Sequence, residues 1–255
     1  MQIIRYQKDE QIHTGYLDRD GIGAITGDIF GEFARSGRVA SLSEVRLLAP
    51  CQPSKVVGVA RNFTDRVRET GAAAPPLPLL FIKPGTSVIG PGDAIELPPQ
   101  AQQVEFAAEL GVVIGKRARR VAPEDAQQYI LGYTCANDVT ARDLLEQDGL
   151  WARGKGFDTF CPLGPCLTNQ LDPTALLITC RVNGETRQMS STHDMLFTIP
   201  QQIAFISGVM TLLPGDVVLT GSPAGVGALA HSDTVEIEIE GIGTLSNPVR
   251  AAAGG

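Results

Sequence analysis

The chain of 255 residues carries 21 Lys+Arg against 28 Asp+Glu, a net charge of −7. That balance argues against a broad nucleic-acid surface, no apolar run reaches membrane-span length, and no signal-type N-terminus is evident, so a small-molecule partner and a cytoplasmic setting are expected. Cys51, Cys135, Cys161, Cys166 and Cys180 form no CxxC pair, and His13, His193 and His231 lack ligand spacing; this argues for buried free thiols and against a zinc site.

Residues 1–50 read as a small β-rich unit and residues 51–255 as a second, larger domain. Ile3–Tyr6, His13–Leu17 and Gly21–Ile25 are short strands, with turn chemistry at Asp18-Arg19-Asp20-Gly21. Lys55–Ala60 is a buried strand by its valines. Arg61–Thr70 alternates charge and precedes Gly71-Ala72-Ala73-Ala74-Pro75, which reads as a short helix on a mobile connection or an ordinary surface helix. Leu79–Pro84 is a strand, and Pro123–Gly132 reads as a helix with Pro near its start and Gly past its end. Tyr133–Ala136 is a strand that delivers Asp138. Leu176–Thr186 is a hairpin turned at Asn183-Gly184. Thr198–Met210 has helical periodicity, Asp216–Thr220 is a buried strand, and Val235–Glu240 alternates as a half-exposed strand. Strands dominate, so the class is β-rich α+β.

Chemistry concentrates between Val104 and Pro165. Glu109 sits inside the apolar run Ala107–Gly115, where an unpaired carboxylate costs several kcal/mol. One strand–helix–strand excursion later comes Asp138, and two carboxylates converging at strand ends suit a hard divalent ion. Arg142 could clamp a substrate carboxylate, and Lys155 lies in a glycine-flanked loop. Taken singly, each has a plainer reading: Asp138 as an N-cap, Arg142 and Asp143 as partners for neighbours. Gly221-Ser222-Pro223-Ala224-Gly225-Val226-Gly227 could offer backbone N–H groups to an anion, but no dinucleotide fingerprint and no Gly-x-Ser-x-Gly elbow is present.

These residues together carry a resemblance. Phe81-Ile82-Lys83-Pro84, Glu109-Leu110-Gly111-Val112-Val113-Ile114-Gly115-Lys116, Asn137-Asp138-Val139-Thr140-Ala141-Arg142-Asp143 and Lys155-Gly156-Phe157-Asp158 are four of its motifs. Ser54-Lys55-Val56-Val57, Thr211-Leu212-Leu213-Pro214-Gly215-Asp216 and the Gly221–Gly227 loop complete them. From about Leu47 to Val249 the chain resembles the fumarylacetoacetate hydrolase family, in its acylpyruvase and oxaloacetate-decarboxylase branch. The resemblance implies a mixed β-sandwich roll with a small N-terminal β unit, a homodimer, and Mg²⁺ or Mn²⁺ held by three carboxylates. It implies a 2-oxo or 2,4-dioxo acid substrate that undergoes C–C hydrolysis, decarboxylation or keto–enol isomerisation through a stabilised enolate.

Carried over residue by residue, Glu109 and Asp138 match two metal ligands. Ala107 stands where the third carboxylate belongs, so weak or absent metal binding is expected; Glu105 lies one pair further along the strand. Residues 61–70 match the family's lid, in which Arg66 replaces the water-activating His and Glu69 is kept. Arginine stays protonated and cannot act as a general base. Leu145 replaces a Gln. Lys155, Glu69 and Arg66 are the catalytic candidates, with Glu69 moving the proton. Arg142, Lys83, Thr220, Gly221 and Ser222 are the substrate-binding candidates. An enzyme of the family is the first expectation; a metal-independent, repurposed member and a non-catalytic oxo-acid binder are the alternatives.

Overall fold

The computed structural model describes residues 1–18 and 21–252. Its architecture follows from alternation. In Leu177–Val182 and Thr234–Ile239, residues Ile178, Cys180, Val182, Val235, Ile237 and Ile239 turn inward while Arg181, Glu236 and Glu238 face out. Each fully buried Ile or Val contributes roughly 1.5–3 kcal/mol. These side chains share one core with Leu110, Val112 and Ile114 of Ala108–Ile114, so two sheets pack face to face as a mixed β-sandwich.

The larger sheet runs Phe33–Ala40, Gly21–Gly27, Gln11–Asp18, Gln2–Lys8, Cys161–Thr168, Ile130–Asn137, Ala108–Ile114, Val217–Leu219, Lys55–Ala60, Leu79–Pro84. Along that path every pairing is antiparallel except Val217–Leu219 on Lys55–Ala60. The first four strands form an antiparallel meander and join the rest through Ile3↔Leu167. The second sheet runs Glu185–Ser191, Leu177–Val182, Thr234–Ile239, Gly243–Ala251, Ile95–Leu97. A third, of three short strands, joins Thr140–Ala141, Val104–Phe106 and Gly227–Ala228. Among the described residues no helix is long and apolar enough to cross a membrane.

Several expected elements stand as read. Asn183 and Gly184 both take positive φ and close the hairpin. Thr198 caps the helix Ile199–Val209 in a capping box with Gln201. Arg19 and Asp20 of the expected first turn lie outside the described residues. One reading is corrected. Pro123–Gly132 is not an α-helix: it is a 3₁₀ segment, Pro123–Tyr129, and the strand already begins at Ile130. Gly132 is therefore no helix terminator. It lies within the strand, where glycine is needed because a Cβ would meet the Thr168 carbonyl oxygen at 2.5 Å. The strand Phe33–Ala40 was not legible because seven of its eight residues face solvent, leaving no alternation to read.

The motifs around Ser54 and Asp216 resolve into scaffold. The buried Asp216 carboxylate accepts from the backbone N–H groups of Ser54, Lys55 and Leu213 and from Ser54 Oγ, and it pairs with Lys55. The five cysteines are buried and unpaired. Burial pushes the thiols of Cys51, Cys161, Cys166 and Cys180 up to about 12, and that of Cys135 upward as well; such thiols are packing groups, not nucleophiles.

Candidate active site

The register of two strands brings the acids together. Ala108 pairs with Asn137 and Glu109 with Ala136, so Asp138 leaves its strand one residue past the point where Ala108–Ile114 begins. Its backbone N–H donates to the Ala107 carbonyl at 2.9 Å. Leu110 and Val112 point into the core, which turns Glu109 to the opposite face. The chain breaks at Ala107 between Val104–Phe106 and Ala108–Ile114. Glu105 therefore belongs to the small sheet, where its carboxylate accepts from Arg142 Nε at 2.9 Å and from Gln103 Nε2 at 2.7 Å.

Both acids are 3% exposed. Asp138 is neutralised from two sides. Lys83, fully buried on Leu79–Pro84, donates to Asp138 Oδ1 at 2.8 Å and to the Val139 carbonyl at 2.8 Å. Lys155, at the end of the helix Trp151–Lys155, donates to Asp138 Oδ2 and to Thr140 Oγ1 and lies 4.3 Å from the centre of the Phe81 ring. Burial alone would raise the Asp138 carboxyl, but Lys155 and Lys83 outweigh it and hold it below the usual range. Glu109 has no such partner: burial first, then the Asp138 charge, push it well above the ordinary carboxylate value. Its Oε2 accepts from the Gly221 N–H at 2.7 Å. Gly221 sits at φ +100, and a Cβ there would come within 2.6 Å of Asn62 Cβ, so glycine is required for that close approach. Lys155 is lowered by burial against the pull of Asp138.

Glu109, Asp138 and Lys155 line a cleft of about 480 Å³. Of the sequence-derived candidates, Arg66, Glu109, Asp138, Arg142, Lys155 and Ser222 line it. Four candidates do not. Lys83 is sealed behind Asp138, so it holds that carboxylate and does not touch a ligand. Thr220 turns its hydroxyl onto the Leu110 carbonyl at 3.0 Å, and Gly221 spends its N–H on Glu109. Glu69 is exposed and commits both oxygens elsewhere: one pairs with Arg66, the other accepts from the Gly225 N–H at 2.9 Å. It fastens the helix Thr64–Thr70 to the glycine loop, and its carboxylate must leave Gly225 before it can transfer a proton in the cleft.

Sequence reasoning missed three positioning residues and one wall. Gln188 accepts from the Ala108 N–H at 2.9 Å and donates to Ser222 Oγ at 2.9 Å and the Pro223 carbonyl at 2.8 Å, so one amide ties the Glu109 strand to the glycine loop. Asn62 donates to the Thr220 carbonyl at 2.7 Å and accepts from the Phe197 N–H at 2.8 Å, fixing the root of the helix Thr64–Thr70. Asn137 Oδ1 accepts from the Ala107 N–H at 3.0 Å. Trp151, the chain's one tryptophan, lines the cleft and packs edge-on to Phe81 at 5.7 Å between ring centres. Its place in the helix after Gly149 is the signal that could have found it.

The donor set does not fit a three-carboxylate metal centre. Ala107 offers a methyl, both oxygens of Asp138 carry ammonium groups, and Glu105 is held by Arg142. Among the described residues no three His, Cys, Asp or Glu side chains are grouped to hold an ion. What the arrangement can do is stabilise negative charge: Lys155, Arg142 and Ser222 Oγ are donors on the lining of one cleft.

The chain has matches among family models, curated proteins and solved structures. A family model described as Fumarylacetoacetate (FAA) hydrolase C-terminal matches residues 55–250, and one described as Rv2993c-like, N-terminal matches residues 1–50. The chain is 45% identical over 220 residues to human mitochondrial oxaloacetate tautomerase FAHD2B, covering 81% of this chain and 70% of that protein. The solved structure of 5-carboxymethyl-2-hydroxymuconate delta-isomerase from Mycobacterium smegmatis is 44% identical with a TM-score of 0.92, over 98% of this chain and 100% of the other. A maleylpyruvate hydrolase from Sphingobium sp. SYK-6, solved in complex with manganese(II) and pyruvate, is 29% identical with a TM-score of 0.82, over 99% and 100%.

Proposed function

The chain belongs to the fumarylacetoacetate hydrolase family, and from that premise we propose that it is a keto–enol tautomerase of a small 2-oxo acid that works without a tightly held divalent ion. One observation carries the reading: Lys83 and Lys155 occupy both oxygens of Asp138, while Ala107 presents a methyl where the third metal carboxylate is expected. Positive charge at the cleft floor is thus supplied by fixed ammonium groups. In this proposal Arg142 holds the substrate carboxylate and Lys155 donates a hydrogen bond to the oxo oxygen as it becomes an enolate, while the Glu69 carboxylate, once it leaves Gly225, carries the proton between the adjacent carbon and that oxygen. Arg66 replaces the residue that would activate water, and tautomerisation needs no activated water. The tautomerase and isomerase names of two relatives support the same choice over hydrolysis. A homodimer acting on its oxo acid in the cytoplasm, with any Mg²⁺ or Mn²⁺ bound weakly, completes the proposal.

The test is the decay of enol absorbance of freshly dissolved oxaloacetate with excess EDTA present. The expected result is catalysed conversion to the keto form that EDTA leaves unchanged, with no cleavage of an acylpyruvate. Conversion that requires added Mn²⁺ overturns the metal-independent part. Binding of oxaloacetate without any conversion replaces the enzyme by the oxo-acid binder.

A further inference from the structure

Four cations line the cleft: Arg61, Arg66, Arg142 and Lys155. Three have a carboxylate of this chain: Glu69 for Arg66, Glu105 for Arg142 and Asp138 for Lys155. Arg61 has no ion pair and no side-chain hydrogen bond among the described residues. A guanidinium on a cleft wall without an internal acid presents its planar fork to whatever anion enters.

Its placement is enforced. Arg61 adopts φ +55, the left-handed region that favours glycine, and is the one cleft-lining non-glycine residue with positive φ among those described. The strand Lys55–Ala60 holds it from one side. Asn62 holds it from the other, through the Thr220 carbonyl and the Phe197 backbone. Thr220 precedes Gly221, whose N–H meets Glu109, so Arg61 is tied by a short chain of contacts to the acids of the floor. A glycine would relieve the backbone and lose the charge.

Building on the oxo-acid reading above, we infer that Arg61 is the receptor for a second carboxylate, which makes the substrate class 2-oxo dicarboxylates. Arg142 and Lys155 engage the 2-oxo carboxylate end, and Arg61 engages the distal carboxylate. It is a specificity-determining residue and takes no part in moving protons. Because Arg61 is exposed, water competes for it, and the expected preference is about tenfold, equivalent to one well-formed charged contact.

Trp151 reports binding directly, since the one tryptophan of the chain lines this cleft. Fluorescence titrations compare oxaloacetate with pyruvate, which lacks the second carboxylate, on the wild-type chain, Arg61→Ala and Arg61→Gly. The glycine variant suits the left-handed backbone and guards against a folding defect. The wild type is expected to bind oxaloacetate about tenfold more tightly than pyruvate. Both variants should lose that preference with pyruvate affinity unchanged. A preference that survives in both variants, or an equal loss for both acids, overturns the assignment. Absence of turnover with the Arg61-dependent preference intact defeats the catalytic reading alone; failure of both acids to bind the wild type defeats the two together.

Discussion

Lys155→Met lowers kcat for oxaloacetate tautomerisation by about two to three orders of magnitude, the usual effect of removing one donor aimed at a developing oxyanion. The substitution keeps a flexible side chain against the Phe81 ring, so packing is largely preserved. Asp138 retains Lys83 and stays paired, so the fold survives. KM should change little, because Arg142 still holds the carboxylate and the lost interaction strengthens mainly in the transition state. Stopped-flow measurement of enol decay separates the two constants. A kcat within about fivefold of the wild type would remove Lys155 from the chemistry.

Lys83→Met produces the largest loss of stability. Lys83 is fully buried, and its ammonium satisfies both Asp138 Oδ1 and the Val139 carbonyl. Removing one partner of a buried pair leaves charge and a carbonyl without compensation, at a cost of about 3 kcal/mol. For a chain of this size that corresponds to a drop in Tm of about 6–12 °C by calorimetry. Adding Asp138→Asn should recover part of the loss, since it removes the stranded charge. A drop of less than about 2 °C would show that Lys155 alone satisfies Asp138 and that Lys83 is not needed there.

Much of this fold was legible because its strands obey period two. Ile178, Cys180 and Val182 alternate with polar neighbours, and the Asn183-Gly184 pair announces its turn. Glu109 and Asp138 were visible for a physical reason: a carboxylate inside an apolar run demands an explanation. What the sequence concealed were groups whose partners are distant. Gln188 lies on a mostly exposed strand, where one inward-facing amide looks like any surface glutamine; its partners are backbone groups of Ala108 and Pro223. Lys83 appeared to end a strand with a charge available to a ligand, yet the period of that strand turns it inward onto Asp138. Glu69 lies in the expected helix, Thr64–Thr70, but its orientation depends on Gly225, far along the chain, and nothing near residue 69 signals that contact.

The central question is whether two lysines have taken over the role of a metal. Titration of Mn²⁺ followed by electron paramagnetic resonance reads this without reference to activity, because the signal of the free aqua ion disappears on binding. The wild-type chain is expected to leave the free signal intact, with Kd weaker than about 1 mM, and Ala107→Glu is expected to bind at least about tenfold more tightly by restoring a third carboxylate. Micromolar Mn²⁺ binding by the wild-type chain would contradict the account.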